Sequence, residues 1–433
     1  MALGSRRWVL AVMGAACVAF ACNAIVGVED VKLKGSGGTR LQNEGGPDDD
    51  DDFGDDDDDG PRDSGPTVEK DRPQLALGFS HTCARMLDGT VRCWGANVFG
   101  QLGDGAEVRD AQAPIPPDSL RAKDVPNVKD AIQIAAGSNH TCILKASGKV
   151  LCWGDNFYGQ LGDGTELDSS NPVEVKELDD AVTLSAGGNV TCVIRQSKKA
   201  ACWGYNFRGG LGDGTTADST KPVTVNGLDD VAQIAPAANH TCAVKTNGEL
   251  WCWGGAVDGQ LGTGSLEDTT KPTRVTALSD VVEVAVASAY SCARTRSGTI
   301  HCWGRNSDGQ LGAGAISTAA NPSPIAVAIT DAISLGAGST HTCAVRKAGN
   351  VMCWGNGVFG QLGIGPVDAA TNKSPIPVDV QNVQTARFIW NGGGRTCALT
   401  SDDKALCWGR NGDGQLGIGS TEDKNVPTPV SDF

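Results

Sequence analysis

A Cys-Trp-Gly triplet recurs seven times along this chain, beginning at Cys93, Cys152, Cys202, Cys252, Cys302, Cys353 and Cys407. The separations are 59, 50, 50, 50, 51 and 54 residues. A period of that length marks a repeated supersecondary unit, and one such unit cannot bury both faces alone. The clearest copy runs from Ala135-Ala136-Gly137 through His140-Thr141-Cys142, then Ser147-Gly148, then Cys152-Trp153-Gly154. Asn156, Gly159-Gln160-Leu161-Gly162-Asp163-Gly164 and a Pro-led segment, Pro172 to Val175, complete it. Each copy therefore supplies about four short stretches with turn residues between them, which reads as four strands. Sheets of that size bury both faces when they pack side by side in a ring.

The pattern resembles the regulator of chromosome condensation repeat, through the Trp-Gly-x-Asn-x-x-Gly-Gln-Leu-Gly-x-Gly core above all. The resemblance covers Pro73 to Phe433 and implies an all-β, seven-bladed β-propeller. It departs from the family in one respect: two cysteines recur in all seven copies, which the general pattern does not require. The chain begins its first copy at Gln74-Leu75-Ala76-Leu77-Gly78 and ends its last at Pro427-Thr428-Pro429-Val430. The two ends read as neighbouring pieces of one circular register, and closure is expected to leave no exposed sheet edge.

The cysteines pair by counting. Leu87-Asp88-Gly89 forms a three-residue hairpin loop with Gly at its left-handed third position. Counting back places Met86 opposite Thr90, Arg85 opposite Val91, Ala84 opposite Arg92 and Cys83 opposite Cys93. Two sulfurs facing across a non-hydrogen-bonded pair lie within bonding reach. The same spacing predicts Cys142–Cys152, Cys192–Cys202, Cys242–Cys252, Cys292–Cys302, Cys343–Cys353 and Cys397–Cys407. Lys198 and Asp403 replace the loop Gly, so those two turns are expected to be strained or differently shaped. Zinc would need closely spaced pairs converging on one point, which this spacing does not give.

The N-terminal region reads as an export signal. Arg6 and Arg7 precede an apolar run from Trp8 to Phe20, too short for a membrane span. Ala19-Phe20-Ala21 offers a small-x-small cleavage pattern before Cys22, and the stretch resembles the lipobox of bacterial lipoproteins, with Ala19 where Leu is usual. Cys17 leaves with the signal, so Cys22 alone lacks a partner; lipidation explains it, and the alternative is a free thiol or an intermolecular disulfide. Three parts follow: 1–21 a signal peptide, 22–72 a lipid-anchor cysteine and acidic linker, 73–433 the propeller. Residues 23–72 hold sixteen Asp or Glu against six Lys or Arg, ten of them in Asp48–Asp52 and Asp55–Asp59. Charge at that density resists collapse, and fifty flexible residues reach roughly 40 Å. The formal net charge of −15 is a poor match for nucleic acid.

No catalytic set stands out. Gly159 to Gly164 lacks the Lys-Ser/Thr ending of a phosphate loop and recurs around the ring, so it is structural. The seven triplet tryptophans read as packing between blades; Trp251 and Trp390 fall outside that register. His81, His140, His240 and His341 share one repeat position with Val190, Tyr290 and Arg395, and a site that accepts Val is a packing position first. His301 stands alone, and Asp104, Asp163 and Asp213 follow one repeated turn. Departures from the repeat, Ala106 to Asn127, Asn356-Gly357-Val358 and Gln384 to Arg395, are the candidates for specificity. The expectation is a non-enzymatic, exported and lipid-tethered recognition propeller, without cofactor or metal, whose partner is an unidentified protein or polysaccharide. It would reside in a bacterial periplasm or at the cell surface, held to a membrane by its anchor. The alternatives are an inhibitor of a secreted or periplasmic enzyme, which the resemblance allows, and a loop-based hydrolase or lyase.

Overall fold

The computed structural model describes residues 71–106, 118–366, 368 and 372–433, so the signal, Cys22 and the acidic stretch lie outside it. Every regular element among the described residues is a β-strand, twenty-eight in all, grouped into seven four-stranded antiparallel sheets. The blades run Gln74–Asp124, Ala131–Glu174, Ala181–Thr224, Val231–Arg274, Val281–Ala326, Ala332–Asp379 and Ala386–Pro429. Within each blade the strands pair in chain order, from the innermost to the outermost. Innermost strands touch their neighbours all the way round, the first blade against the seventh.

The hairpin register follows from the loop chemistry. Cys83 pairs with Cys93, Ala84 with Arg92 and Arg85 with Val91, as the count from Gly89 requires. Gly89, Gly148, Gly248, Gly298 and Gly349 take φ between 79° and 85°. Lys198 (φ 60°) and Asp403 (φ 59°) take the same left-handed conformation. Cys192 still pairs with Cys202 and Cys397 with Cys407, so those turns are not differently shaped. All seven disulfides form within a blade, with Cα atoms 4.0–4.1 Å apart.

The core is seven wedges, one per seam between blades. Each disulfide packs against the triplet tryptophan of the next blade: Cys83 and Cys93 against Trp153, Cys142 and Cys152 against Trp203, and so on. The last wedge joins the chain's two ends, with Cys397, Cys407 and Trp390 of blade 7 against Leu75, Leu77 and Trp94 of blade 1. Blades 1 and 7 each consist of consecutive strands, so the circle closes by packing, not by a sheet shared between the termini. Sheet edges therefore persist, contrary to the expectation from the termini.

Those edges are protected. Because each disulfide joins a non-hydrogen-bonded pair, the backbone of Cys152 turns its N–H and C=O outward to Val173 of the outer strand. The preceding residue, Pro172, then faces solvent with no N–H to offer. Pro222, Pro272, Pro324, Pro377 and Pro427 hold the same position; blade 1 has Ala122 between Arg121 and Lys123. Proline and charge both discourage edge pairing. At the inner edge, Gln133 clasps the next blade: Nε2 donates to Leu184 O and Oε1 accepts the Leu184 N–H, both at 2.9 Å. Gln233 does the same to Val284.

The two ends of the ring differ. The disulfide hairpin tips and the links between blades lie on one face, called the hairpin face. The turns after the innermost strands and the Gln-Leu-Gly loops lie on the other, the loop face. The chain arrives on the hairpin face, where Arg72 Nη1 meets Asp403 Oδ1 at 2.6 Å at the hairpin tip of blade 7.

Candidate recognition face

Most of the repeated polar residues are absorbed by seams and loops. The backbone carbonyl at each Gln-Leu-Gly turn accepts two hydrogen bonds from the next blade. Gln160 O takes the Trp203 indole N–H at 3.0 Å and the Thr191 hydroxyl at 2.9 Å. The pattern continues round to Gln415 O, which takes Trp94 at 3.0 Å and Thr82 at 2.7 Å across the closing seam. The triplet tryptophans are thus wholly buried and bonded between blades. Trp390 is buried in the closing wedge, while half-buried Trp251 bonds to Glu249.

The four repeated histidines extend this relay. His81 Nε2 lies 2.9 Å from Thr141 Oγ1, His140 2.9 Å from Thr191 Oγ1, His240 2.8 Å from Ser291 Oγ and His341 2.8 Å from Thr396 Oγ1. Each hydroxyl spends its only proton on a carbonyl, so the imidazole must donate from Nε2. Nδ1 is then left buried without a partner in all four. Burial pushes these imidazoles down to about 3, and at His81 the charges of Arg395 and His140 add to it. Tyr290 and Arg395 also bond across the seam: Tyr290 Oη to His341 O at 2.6 Å, Arg395 to Thr82 Oγ1, Phe79 O and His81 O. Val190 bonds to nothing polar by its nature, and Thr241 still donates to Gly210 O.

The loop asparagines and aspartates are framework as well. Asn156 Nδ2 bonds to Thr165 O and Leu167 O, and Asn156 Oδ1 accepts the Leu161 N–H. Asp163 and Asp213 accept bonds from Thr165 and Thr215, and Asp104 from Asn97. His301 is partly buried on the third strand of blade 5, apart from the others. Among the described residues no group of three or more His, Cys, Asp or Glu could hold a metal ion.

What remains free to vary is carried by three positions in each loop: the residue after Cys-Trp-Gly, the residue before the Gly that opens the Gln-Leu-Gly turn, and the residue just ahead of that one, which is Phe157 in blade 2 and Phe207 in blade 3. The first two meet across five of the seven seams. Tyr205 of blade 3 packs on Tyr158 of blade 2 with ring centroids 4.8 Å apart. Arg305 makes a two-pronged pair with Asp258, at 3.1 and 3.2 Å. Asn356 donates to Asp308 at 3.0 Å, and a Cβ on Gly255 would sit 2.7 Å from Arg208 Cδ. Arg410 lies over the rings of Phe359 at 5.9 Å and Phe79 at 5.4 Å.

The chemistry of these positions, together with Phe79 in the turn after the innermost strand, polarises the loop face. Blades 6, 7, 1, 2 and 3 carry Phe359, Arg410, Phe79, Phe99, Phe157, Tyr158, Tyr205 and Phe207 in succession; blades 4 and 5 carry ion pairs and small residues. Five of the seven described phenylalanines thus gather on one face. Phe157 and Phe207 are each 67 % exposed. Exposed aromatic clusters beside Arg are the usual anchors of recognition surfaces.

The sequence-stretch candidates fare unevenly. Within Ala106 to Asn127, residues 107–117 lie outside the described part and Ser119–Asp124 is the outer strand of blade 1. Asn356 to Val358 does lie on the loop face. Gln384 to Arg395 contains the innermost strand Ala386–Gly392 and is framework.

A stapled ring with its variation concentrated on one loop face defines a β-propeller binding scaffold. The chain belongs to the RCC1-like domain family, whose model matches residues 45–293. Models of the regulator of chromosome condensation (RCC1) repeat match 281–310, 332–361, 297–345 and 402–433. Among curated proteins it is 38 % identical over 99 residues to the probable E3 ubiquitin-protein ligase HERC4 of Rattus norvegicus, covering 23 % of this chain and 9 % of that one. It is 34 % identical over 115 residues to the ultraviolet-B receptor UVR8 of Arabidopsis thaliana, covering 26 % of each. The chain therefore spans about a quarter or less of the length of these relatives. Among solved structures, yeast RCC1 (Prp20) bound to Kap60 matches with a TM-score of 0.70 at 22 % identity, over 84 % of this chain and 86 % of that one. Human WBSCR16 matches with a TM-score of 0.70 at 24 % identity, over 79 % and 94 %. These similarities establish the fold.

Proposed function

We propose that this protein is an exported, lipid-tethered recognition propeller, non-enzymatic, whose loop face takes a protein ligand. The observation that carries the reading is that, among the described residues, the exposed aromatic side chains concentrate on that face. Yeast RCC1 (Prp20), of the same fold, is bound by Kap60, which supports a protein as the ligand. Seven disulfides fit an oxidising location outside the cytoplasm, and they hold the loops on a rigid base. The export signal at 1–21, the anchor at Cys22 and the acidic linker to residue 72 supply the remaining parts of the reading.

Affinity capture from surface and culture extracts tests it. The immobilised full chain is compared with a Phe79→Ser/Phe157→Ser/Phe207→Ser chain and with Leu87→Ser, a control on the hairpin face. Proteins held by the wild type and by Leu87→Ser, and lost by the triple variant, support the reading. Equal retention by all three, or retention of polysaccharide alone, overturns it. A captured protein that proves to be an enzyme silenced on binding would assign the inhibitor role.

A further inference from the structure

At the junction of blades 6, 7 and 1 the loop face holds a cation between two rings. The guanidinium carbon of Arg410 lies 5.4 Å from the centre of the Phe79 ring and 5.9 Å from that of Phe359. Glycine makes this possible. Blade 7 carries Gly393 and Gly394 in the turn after its innermost strand, and the two rings rest on that bare backbone. A Cβ would lie 3.3 Å from Phe79 Cδ2 at the first and 2.9 Å from Phe359 Cδ2 at the second. Other cations of this face are spent on carboxylates: Arg208 on Asp268 at 2.8 Å, Arg305 on Asp258 at 3.1 Å and Lys373 on Asp308 at 2.7 Å. Arg410 differs. Its nearest carboxylate oxygen, Asp413 Oδ2, stands 3.6 Å from Nη2, beyond a hydrogen bond. Among the described residues no side-chain hydrogen bond of Arg410 forms, and its side chain is 33 % exposed. Nearby, Gly412 takes the repeat position that Phe157 and Phe207 hold, and a Cβ there would meet nothing within 4 Å. The guanidinium is thus fixed by rings, short of acceptors and open on one side.

We propose that Arg410 receives a carboxylate of the protein partner, an Asp or Glu side chain in an otherwise apolar segment that crosses blade 7 at Gly412. This rests on the loop face being the recognition surface. The planar fork of a guanidinium matches the two oxygens of a carboxylate, and stacking on rings leaves its N–H edge available to them. Because the side chain is already held, little freedom is lost when the pair forms. Phe359, 41 % exposed, gives the apolar residues on either side of the carboxylate a surface to pack on. A polyanion fits less well. The chain's formal charge of −15 repels it, and Asp413 stands beside the guanidinium. A single carboxylate meets the fork and brings no further charge against the face.

The test is fluorescence anisotropy on the oxidised full chain with two labelled, end-blocked peptides, one carrying a single glutamate among leucines, the other glutamine in its place. The wild type is expected to bind the glutamate peptide about tenfold tighter, the worth of one charge-assisted pair. Arg410→Gln is expected to lose that preference. So is Gly412→Leu, which fills the open side and keeps the guanidinium, so the test survives if one variant misfolds. Arg410→Lys keeps the charge without the fork and is expected to lose most of the preference. Equal binding of both peptides, no binding, or a preference kept in full by Arg410→Gln or Arg410→Lys overturns the proposal. If Arg410→Gln still holds the proteins captured by the wild type while Phe157→Ser/Phe207→Ser loses them, the loop face stands and only the carboxylate falls. Dextran sulfate retained by the wild type but not by Arg410→Gln in affinity gels would assign the site to a polyanion and overturn the proposal as well.

Discussion

At the scale of single residues, the seam histidines make the ring sensitive to acid. Their folded values near 3 lie below the 6.5 of an exposed imidazole, so between those limits the unfolded chain binds protons that the folded chain refuses. Their contribution is fully present above about pH 6.5 and is lost as the pH falls toward 3, each histidine adding up to about 1.4 kcal/mol per pH unit. His240→Val copies what blade 3 does at Val190. It is expected to change stability at pH 7.5 by no more than about 1 kcal/mol. It is also expected to flatten the loss between pH 6 and 5 by about one histidine's share. Urea unfolding at both pH values measures this, and an unchanged slope refutes the assignment. Sequence placed these residues as packing positions, and Val190 justified that. It did not reveal their hydroxyl partners, which belong to the next blade and are oriented by a backbone carbonyl that has no side-chain signature.

At the scale of the element, each hairpin is closed twice, by its three-residue turn and by its disulfide. The pair Cys142–Cys152 bridges a sequence separation of 10. Replacing both by Ser removes a crosslink worth about 2–3 kcal/mol in the chain-entropy model. Thermal unfolding of Cys142→Ser/Cys152→Ser should show a lower midpoint with the fold retained, and an unchanged midpoint would mean the hairpin is fully formed without the bond. These elements were legible to the residue pair, because turn chemistry and alternation fix register locally. The paired loop positions were not. Asp258 and Arg305 stand 47 residues apart and meet only because consecutive blades pack side by side. The signal was present in the repeat, as columns where Phe, Tyr, Arg and Asp replace one another between fixed Gly residues.

At the scale of the whole molecule, the ring closes without exchanging strands, which neither terminal motif disclosed. The last wedge depends on side chains from both ends, Trp94 and Leu75 against Trp390 and Cys407. The other whole-molecule claim is the tether. Cys22→Ser is expected to move the protein from the detergent phase to the aqueous phase of a Triton X-114 extract. A wild type already in the aqueous phase would remove the anchor from the functional reading.

The contact of Arg72 with Asp403 gives the proposed tether a direction. The polypeptide comes to the torus from the side of the disulfide hairpins, while the aromatic arc occupies the opposite mouth. A stalk fixed to a bilayer through the preceding residues would hold the propeller with its back to the lipid, leaving the arc turned outward to whatever diffuses past.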